Sequence, residues 1–482
     1  MFSIALLTLF LLGMIVIGVW GMRKTTNLND FFLGGRTIGP WMSAFAYGTT
    51  YFSAVIFIGF AGKVGWGFGL DALWIAFGNA VFGSLLAWLV LARRTRRMTQ
   101  NLDVMTMPEF LHERFGGKYI KMVSAVIVFI FLLPYCASVF KGLGHLFQAT
   151  FNIPYDTALL IMIGITGIYL ILGGYFAVTL TDFIQGIVML IGSVALVSVL
   201  VGKAGGWVNI FPQIIAAHRA HVPAAPNYWL LGALVFMTSF GTWGLPQMVQ
   251  KFYAIKNEKV IPRAALVTFL FAVVITFAAY FTGAIAHLFF NSPVMVNGKP
   301  AFDQIVPALL TQYLPGPLMA VILLLVLSAS MSTLSSLVLV SASAIAVDLY
   351  KGHVNPNVSK ENSLLMMRFL SGVFIAISYY IARYDFAVIV TLMSLSWGAV
   401  AGAFMAPFFY GLYWKRATKA AVKAGMATGL FLAVYLFYKL GPNNSPIAST
   451  IAIIVPFAVI PLVSLFTRPP QEKLLEKAFE HI

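Results

Sequence analysis

The stretch Leu325-Val326-Leu327-Ser328-Ala329-Ser330-Met331-Ser332-Thr333-Leu334-Ser335-Ser336-Leu337 decides how this chain is read. It sits in a run, 304–347, that holds no Asp, Glu, Lys or Arg and is long enough to cross a bilayer. Six hydroxyl side chains nevertheless fall between Ser328 and Ser336. On a helix, Ser332, Ser335 and Ser336 share a face, and Ala329 lies one turn before Ser332 and Thr333. Hard cations such as sodium take oxygen ligands. A face carrying several hydroxyls offers such oxygens without placing a charge in lipid. The same residues also have an ordinary use: Ser and Thr let membrane helices pack closely and bond back to the i−4 carbonyl.

The remaining composition sets the class. Of 482 residues, 60% are hydrophobic and only 10% charged, and the mean hydropathy is +0.90. Such a chain is an all-α polytopic membrane protein. Its single cysteine, Cys136, excludes a disulfide framework and a Cys-rich metal site. The first apolar stretch, Phe2 to Trp20, lacks a basic n-region and a small-residue cleavage site, so it reads as a retained first helix.

A formal net charge of +16 could suggest a nucleic-acid partner, but the distribution argues otherwise. Apolar runs predict about thirteen spans, at 2–21, 41–61, 70–91, 121–149, 157–175, 182–202, 227–250, 264–290, 316–347, 363–382, 386–412, 420–438 and 447–467. With the N-terminus outside, 24 of the 31 Lys and Arg fall on the inner side, Lys251 among them, and six on the outer side, with Lys141 inside a span. That asymmetry is the positive-inside rule. It predicts a multi-pass protein of the cell (inner) membrane, its N-terminus outside and its C-terminus cytoplasmic, with no nucleic-acid partner.

Two spans are interrupted. The second contains Ala46-Tyr47-Gly48-Thr49-Thr50-Tyr51-Phe52-Ser53-Ala54, and the seventh contains Thr238-Ser239-Phe240-Gly241-Thr242-Trp243-Gly244-Leu245-Pro246-Gln247. Unwound backbone at membrane depth is tolerated only where it lines a cavity or is buried in protein. Two broken spans at matching positions in two halves point to a transporter site built from inverted repeats. Five spans per repeat give the opposite topologies that this arrangement requires. Lys141, near the outer end of its span, reads as snorkelling to the interface. Asp182 reads equally as an N-cap aided by Thr181 and as a functional acid inside a span. No Walker loop, HExxH, GxSxG or dinucleotide fingerprint is present, so the chain does not read as an enzyme and carries no ATP motor of its own.

These pieces resemble one family. Phe32-Leu33-Gly34-Gly35-Arg36 with Gly39-Pro40, Tyr135-Cys136-Ala137-Ser138, Ile171-Leu172-Gly173-Gly174-Tyr175 through Thr181-Asp182 and Gln185-Gly186, Gly244-Leu245-Pro246, Ser330-Met331-Ser332-Thr333-Leu334-Ser335 with Asp348-Leu349-Tyr350, and Trp397 onward through Trp414 follow in order over residues 1–440. The chain resembles the sodium/solute symporters, which include proline, pantothenate and monocarboxylate permeases and the sodium/glucose transporters. The resemblance implies a LeuT-type fold of inverted five-helix repeats. Residues 1–40 would be a leading helix and inner loop, 41–202 and 227–412 the two repeats, and 413–482 two trailing helices and a tail. It implies a sodium (Na+) site of Thr49, Phe52 and Ala329 carbonyls with Ser332 and Thr333 hydroxyls. A second sodium would take Asp182, Ser335 and Ser336, with Ser332 shared.

The substrate residues depart from the proline permeases, which carry Asp at Tyr51 and Trp and Tyr at Thr238 and Thr242. That departure points away from proline. The expected pocket of Tyr51, Phe52, Tyr135, Thr238, Thr242, Trp243, Pro246 and Gln247 is aromatic and uncharged. It suits a small organic acid or amino acid whose carboxylate meets helix-end amides. The expectation is a sodium-coupled symporter importing a monocarboxylate, a pantothenate-like acid or an amino acid by alternating access. Proton coupling at Asp182, or a channel or sensor on the same scaffold, is the alternative. The charge pattern carries its own test. A reporter fused after Ile482 is expected on the cytoplasmic side and one inserted in the 291–315 loop on the outer side; finding the two on one side breaks the thirteen-span scheme.

Overall fold

Backbone polar groups in hydrocarbon must be satisfied internally, so a spanning chain is helical or a closed barrel. The computed structural model, which describes residues 2–24, 32–172, 175–384 and 387–480, is helical almost throughout. Gly173 and Gly174 of the sequence motifs lie outside the described residues. The main helices are α1 (Phe2–Lys24), α2 (Pro40–Tyr51), α3 (Val55–Asn101), α4 (Lys118–Phe151), α5 (Tyr155–Leu172) and α6 (Tyr175–Lys203). After them come α7 (Tyr228–Phe240), α8 (Pro246–Tyr253), α9 (Ile261–Ile285), α10 (Gly316–Ser343) and α11 (Lys360–Arg383). The last three are α12 (Ile389–Tyr413), α13 (Lys419–Leu440) and α14 (Ser445–Leu465). A two-residue hairpin, Met295–Val296 with Lys299–Pro300, is the only sheet among the described residues.

Among these residues, nine helices are long and apolar enough to cross a membrane, or ten if the bent pair Tyr228–Gly244 and Pro246–Tyr253 is one span. The expected total of thirteen also counts shorter apolar helices, Ile4–Trp20 and Tyr155–Gly164, and divides the continuous run Val55–Asn101 in two. Burial ranks the spans. The apolar windows of the spans containing α10 and α12 are 89% and 94% buried, against 28% for that of α11 and 33% for α13. The hydroxyl-rich helix is therefore central, packed on α2, α4 and α6.

The two interruptions form where the sequence predicts. After α2, Phe52 is extended (φ −110°, ψ 118°), and the chain resumes as the wide, π-helical first segment of α3. After α7, a 3₁₀ turn at Gly241–Gly244 leads to an extended Leu245 (φ −85°, ψ 120°). Pro246 then opens α8, since a proline's missing N–H and fixed φ suit a first helical position. The chain bends by 48° there.

Two sequence readings change. Asp182 lies within α6, seven residues after Tyr175, so it is no N-cap. Lys141 does not reach solvent: its side chain is 3% exposed, with Nζ 3.0 Å from Asp303 Oδ2. It also donates to the Ala387 carbonyl at 2.7 Å. Asp303 in turn accepts from the Ile389 N–H at the start of α12. An ammonium on a membrane helix finds a buried carboxylate from the 291–315 loop in place of water.

Close packing of small residues holds α3 on α9, as membrane interfaces favour. A methyl group on Gly283 would sit 1.9 Å from the Ala61 carbonyl oxygen, and one on Gly65 would sit 2.6 Å from Gly283 Cα. Backbone on both sides leaves no soft neighbour to yield. Gly283→Ala is expected to lower thermal stability in detergent, by about 1–3 kcal/mol or more of overpacking, whereas Gly316→Ala, which meets open space, leaves the melting temperature near wild type.

Candidate functional site

The break at Phe52 leaves backbone groups without helical partners, and α10 meets them. The Ala54 N–H, which would bond the Thr50 carbonyl in an unbroken helix, donates to Ser330 Oγ at 3.2 Å. Thr333 Oγ1 lies 3.3 Å from the Thr49 carbonyl oxygen, 3.1 Å from that of Thr50 and 3.1 Å from that of Ala329. One hydroxyl proton cannot serve three carbonyls, so this cluster is rich in oxygen and poor in hydrogen. Ser332 Oγ donates to Thr49 Oγ1 at 2.7 Å beside it. Thr49, Ser332, Thr333 and Ala329 are all fully buried. Oxygen dipoles converging with no formal charge among them suit a hard monovalent cation.

Phe52 plays two parts. It ends α2, and its ring stacks on Tyr51 with centroids 4.2 Å apart. The two rings line a small buried pocket with Tyr135, Thr238, Asn79, Phe60, Tyr280, Met393 and Trp397. The cavity it encloses is about 20 Å³, room for about one water molecule. Trp397 of α12 walls it, 5.7 Å from the Tyr135 ring at 84° and 6.3 Å from the Tyr51 ring. The Tyr51 hydroxyl donates to the Thr238 carbonyl, and Thr238 Oγ1 donates to Asn79 Oδ1 at 2.8 Å. Those bonds tie the two interrupted spans together across the pocket.

Of the eight residues expected to hold substrate, Tyr51, Phe52, Tyr135 and Thr238 form this wall, and the other four do not. The Thr242 hydroxyl donates back to the Ser239 carbonyl, and the Trp243 indole N–H donates to the Phe82 carbonyl at 3.1 Å. Pro246 borders a separate cavity with Gln250 and Asp348. The Gln247 amide is buried with no partner among the described residues. Trp397, Asn79 and Tyr280 are missing from the expected set. Trp397 lies in a stretch that carries the family resemblance, but nothing in its spacing aims it at Tyr51.

The second expected ion group assembles differently. Asp182 of α6 and Ser336 of α10 face each other across Lys251 of α8, whose Nζ is 3.6 Å from Asp182 Oδ2 and 3.0 Å from Ser336 Oγ. Ser336 also meets Thr50 Oγ1 at 3.0 Å. The Ser335 hydroxyl turns back to the Ser332 carbonyl at 2.9 Å. Charge counting assigns Lys251 to the inner-face basic residues; the structure buries it completely.

With this geometry in place, the comparisons with known proteins decide the family. A family model described as the sodium:solute symporter family matches residues 31–429. This chain belongs to the sodium:solute symporter family. Its similar relatives include a sodium/proline symporter of Haemophilus influenzae, 30% identical over 99% of this chain and 98% of that protein. An osmoregulated proline transporter of Bacillus subtilis is 29% identical over 86% of this chain and 84% of its own. A substrate-bound, outward-open Na+-coupled sialic acid symporter superposes with a TM-score of 0.80 at 17% identity, covering 98% of this chain and 99% of that one. The nucleobase-cation-symport-1 transporter Mhp1 gives 0.55 at 15% identity, over 94% and 99%. The symporter chain therefore has the LeuT-type fold expected of it, and family and relatives alike are transporters, not enzymes.

Trp397, and not Trp243, lines the cavity. Trp397→Ala is expected to weaken solute binding about tenfold or more, from the lost burial of an aromatic wall. Trp243→Ala, whose indole is bonded to backbone outside the pocket, is expected to change it less. Binding titrations of purified protein rank the two; the reverse order removes Trp397 from the site.

Proposed function

We propose that this chain is a sodium-driven symporter that imports a small carboxylate-bearing solute by alternating access, with proline the first candidate. The carrying observation is the oxygen cluster of Thr49, Ala329, Ser332 and Thr333 at the break beside Phe52. A sodium ion there would take the Thr49, Phe52 and Ala329 carbonyls and the Ser332 and Thr333 hydroxyls. Neutral dipoles offset the ion's desolvation only in part, so binding is weak. Weak binding suits a carrier that must release its ion inside.

The names of the relatives support proline. The substitutions at Tyr51, Thr238 and Thr242 weigh against it, yet the fold supplies an indole at the same wall from another helix, through Trp397. The Trp397 indole N–H has no partner among the described residues and is a donor suited to a carboxylate. Tyr51, Phe52 and Tyr135 would hold the apolar part of the solute. The repeats are proposed to span 41–202 and 227–412, with 1–40 leading and 413–482 trailing. In a cell membrane the N-terminus would face out, as the basic residues argue. Sodium is a co-substrate here, consumed from its gradient at each turnover.

The test is uptake by proteoliposomes under an imposed sodium gradient. Proline uptake is expected with sodium and not with potassium or choline. Ser332→Ala and Thr333→Ala are each expected to raise the sodium concentration for half-maximal uptake severalfold or more, about 1–3 kcal/mol for a lost polar partner. Unchanged sodium dependence in both variants removes this site. Uptake of a monocarboxylate or pantothenate in place of proline keeps the carrier and replaces the substrate.

A further inference from the structure

Lys251 stands in an expensive place for a charge. A lysine within a membrane protein's core either pairs or serves a purpose. Its side chain is 1% exposed and that of its partner Asp182 is 0% exposed. The ammonium lies 3.6 Å from Asp182 Oδ2, donates to Ser336 Oγ at 3.0 Å, and sits 5.2 Å from the centroid of the Tyr175 ring. Neither carboxylate oxygen of Asp182 has a conventional hydrogen bond among the described residues, so this ammonium is the cation that neutralises it. Carboxylate, hydroxyl and ring face are what a monovalent cation would choose in a dry site.

Three helices meet at this point: α6 brings Asp182, α10 brings Ser336, and α8, the half-helix after the second break, brings Lys251 one turn past Gln247. The same network touches the oxygen cluster. Ser336 bonds to Thr50, and Ser332, one turn earlier on α10, bonds to Thr49. Asp182 and Ser336 are half of the group expected to hold a second sodium. A sodium ion entering now would face an ammonium across a single carboxylate, and in surroundings of low dielectric such repulsion is poorly screened.

We propose that the Lys251 ammonium takes the place of a second sodium ion as a tethered cation, so that this chain binds and moves one sodium per cycle. The inference rests on the sodium reading above. A tethered cation holds the three helices as an ion would, but it never leaves and draws nothing from the gradient. Lys251 is thus a positioning residue that sets ion stoichiometry.

The test counts radioactive ²²Na+ bound at saturation by purified protein, and reads the steepness of sodium-dependent uptake. Wild type is expected to bind about one ion per chain with a Hill coefficient near one; Lys251→Ala is expected to bind about two, with the coefficient rising, since it is bounded by the number of sites. Two ions bound by wild type, or one ion bound by folded Lys251→Ala, overturn the inference and leave the sodium reading standing. If Lys251→Ala does not fold, the double variant Asp182→Leu with Lys251→Met replaces the pair by apolar side chains of similar size. It must keep about one bound ion; a fall to none means that Asp182 held the wild-type ion and overturns the proposal. No ion bound by wild type overturns the sodium reading and this inference with it.

Discussion

Everything in this molecule follows from one obligation: a helix broken inside a membrane must find partners for the backbone groups it releases. At Phe52 the release is met mainly by α10, while the Val55 N–H donates to Ser53 Oγ. Ser330 takes the Ala54 N–H and Thr333 covers the carbonyls of Thr49 and Thr50. The match is unequal, since carbonyls outnumber available protons. That imbalance is the ground for the proposed sodium site. It also explains why the hydroxyl-rich helix must be central, because only a fully buried α10 can reach the break along several turns.

The second break obeys the same obligation by other means. There a 3₁₀ turn, an extended Leu245 and Pro246 at the start of α8 limit how many groups are released. Trp243 and Thr242 satisfy backbone carbonyls nearby. The break thus directs α8, and with it Lys251, toward α6 and α10. Tyr51 and Thr238 then join the two interruptions around one small pocket.

The class, the two interruptions and the oxygen cluster were legible because each is local. Charge-free length marks spans, glycine and proline mark breaks, and i, i+3, i+4 spacing puts Ser332 with Ser335 and Ser336 on one face. What was not legible is what depends on helices meeting across the bundle. Lys251 reads as an inner-face charge because its neighbours in sequence, Gln250 and Phe252, do not show that Asp182 lies across from it. Trp397 is 346 residues from Tyr51 and reaches it only through the packing of α12. Thr242, Trp243, Pro246 and Gln247 are adjacent to the pocket in sequence, but the turn geometry sends them elsewhere. The number of spans stays coarse for a related reason: apolar length does not divide a continuous helical run such as Val55–Asn101.

Asp303 carries a consequence of its own. One carboxylate neutralises the Lys141 ammonium and caps the first amide of α12. Lifting its loop would take an anion from an ammonium and a helix terminus at once, and a buried charge without its counter-ion is costly. Water is the replacement at hand. Any opening on that side would therefore be a hydration reaction as much as a movement of helices. The balance would then respond to the chemical potential of water: solutes excluded from that side would favour the form with the carboxylate in place.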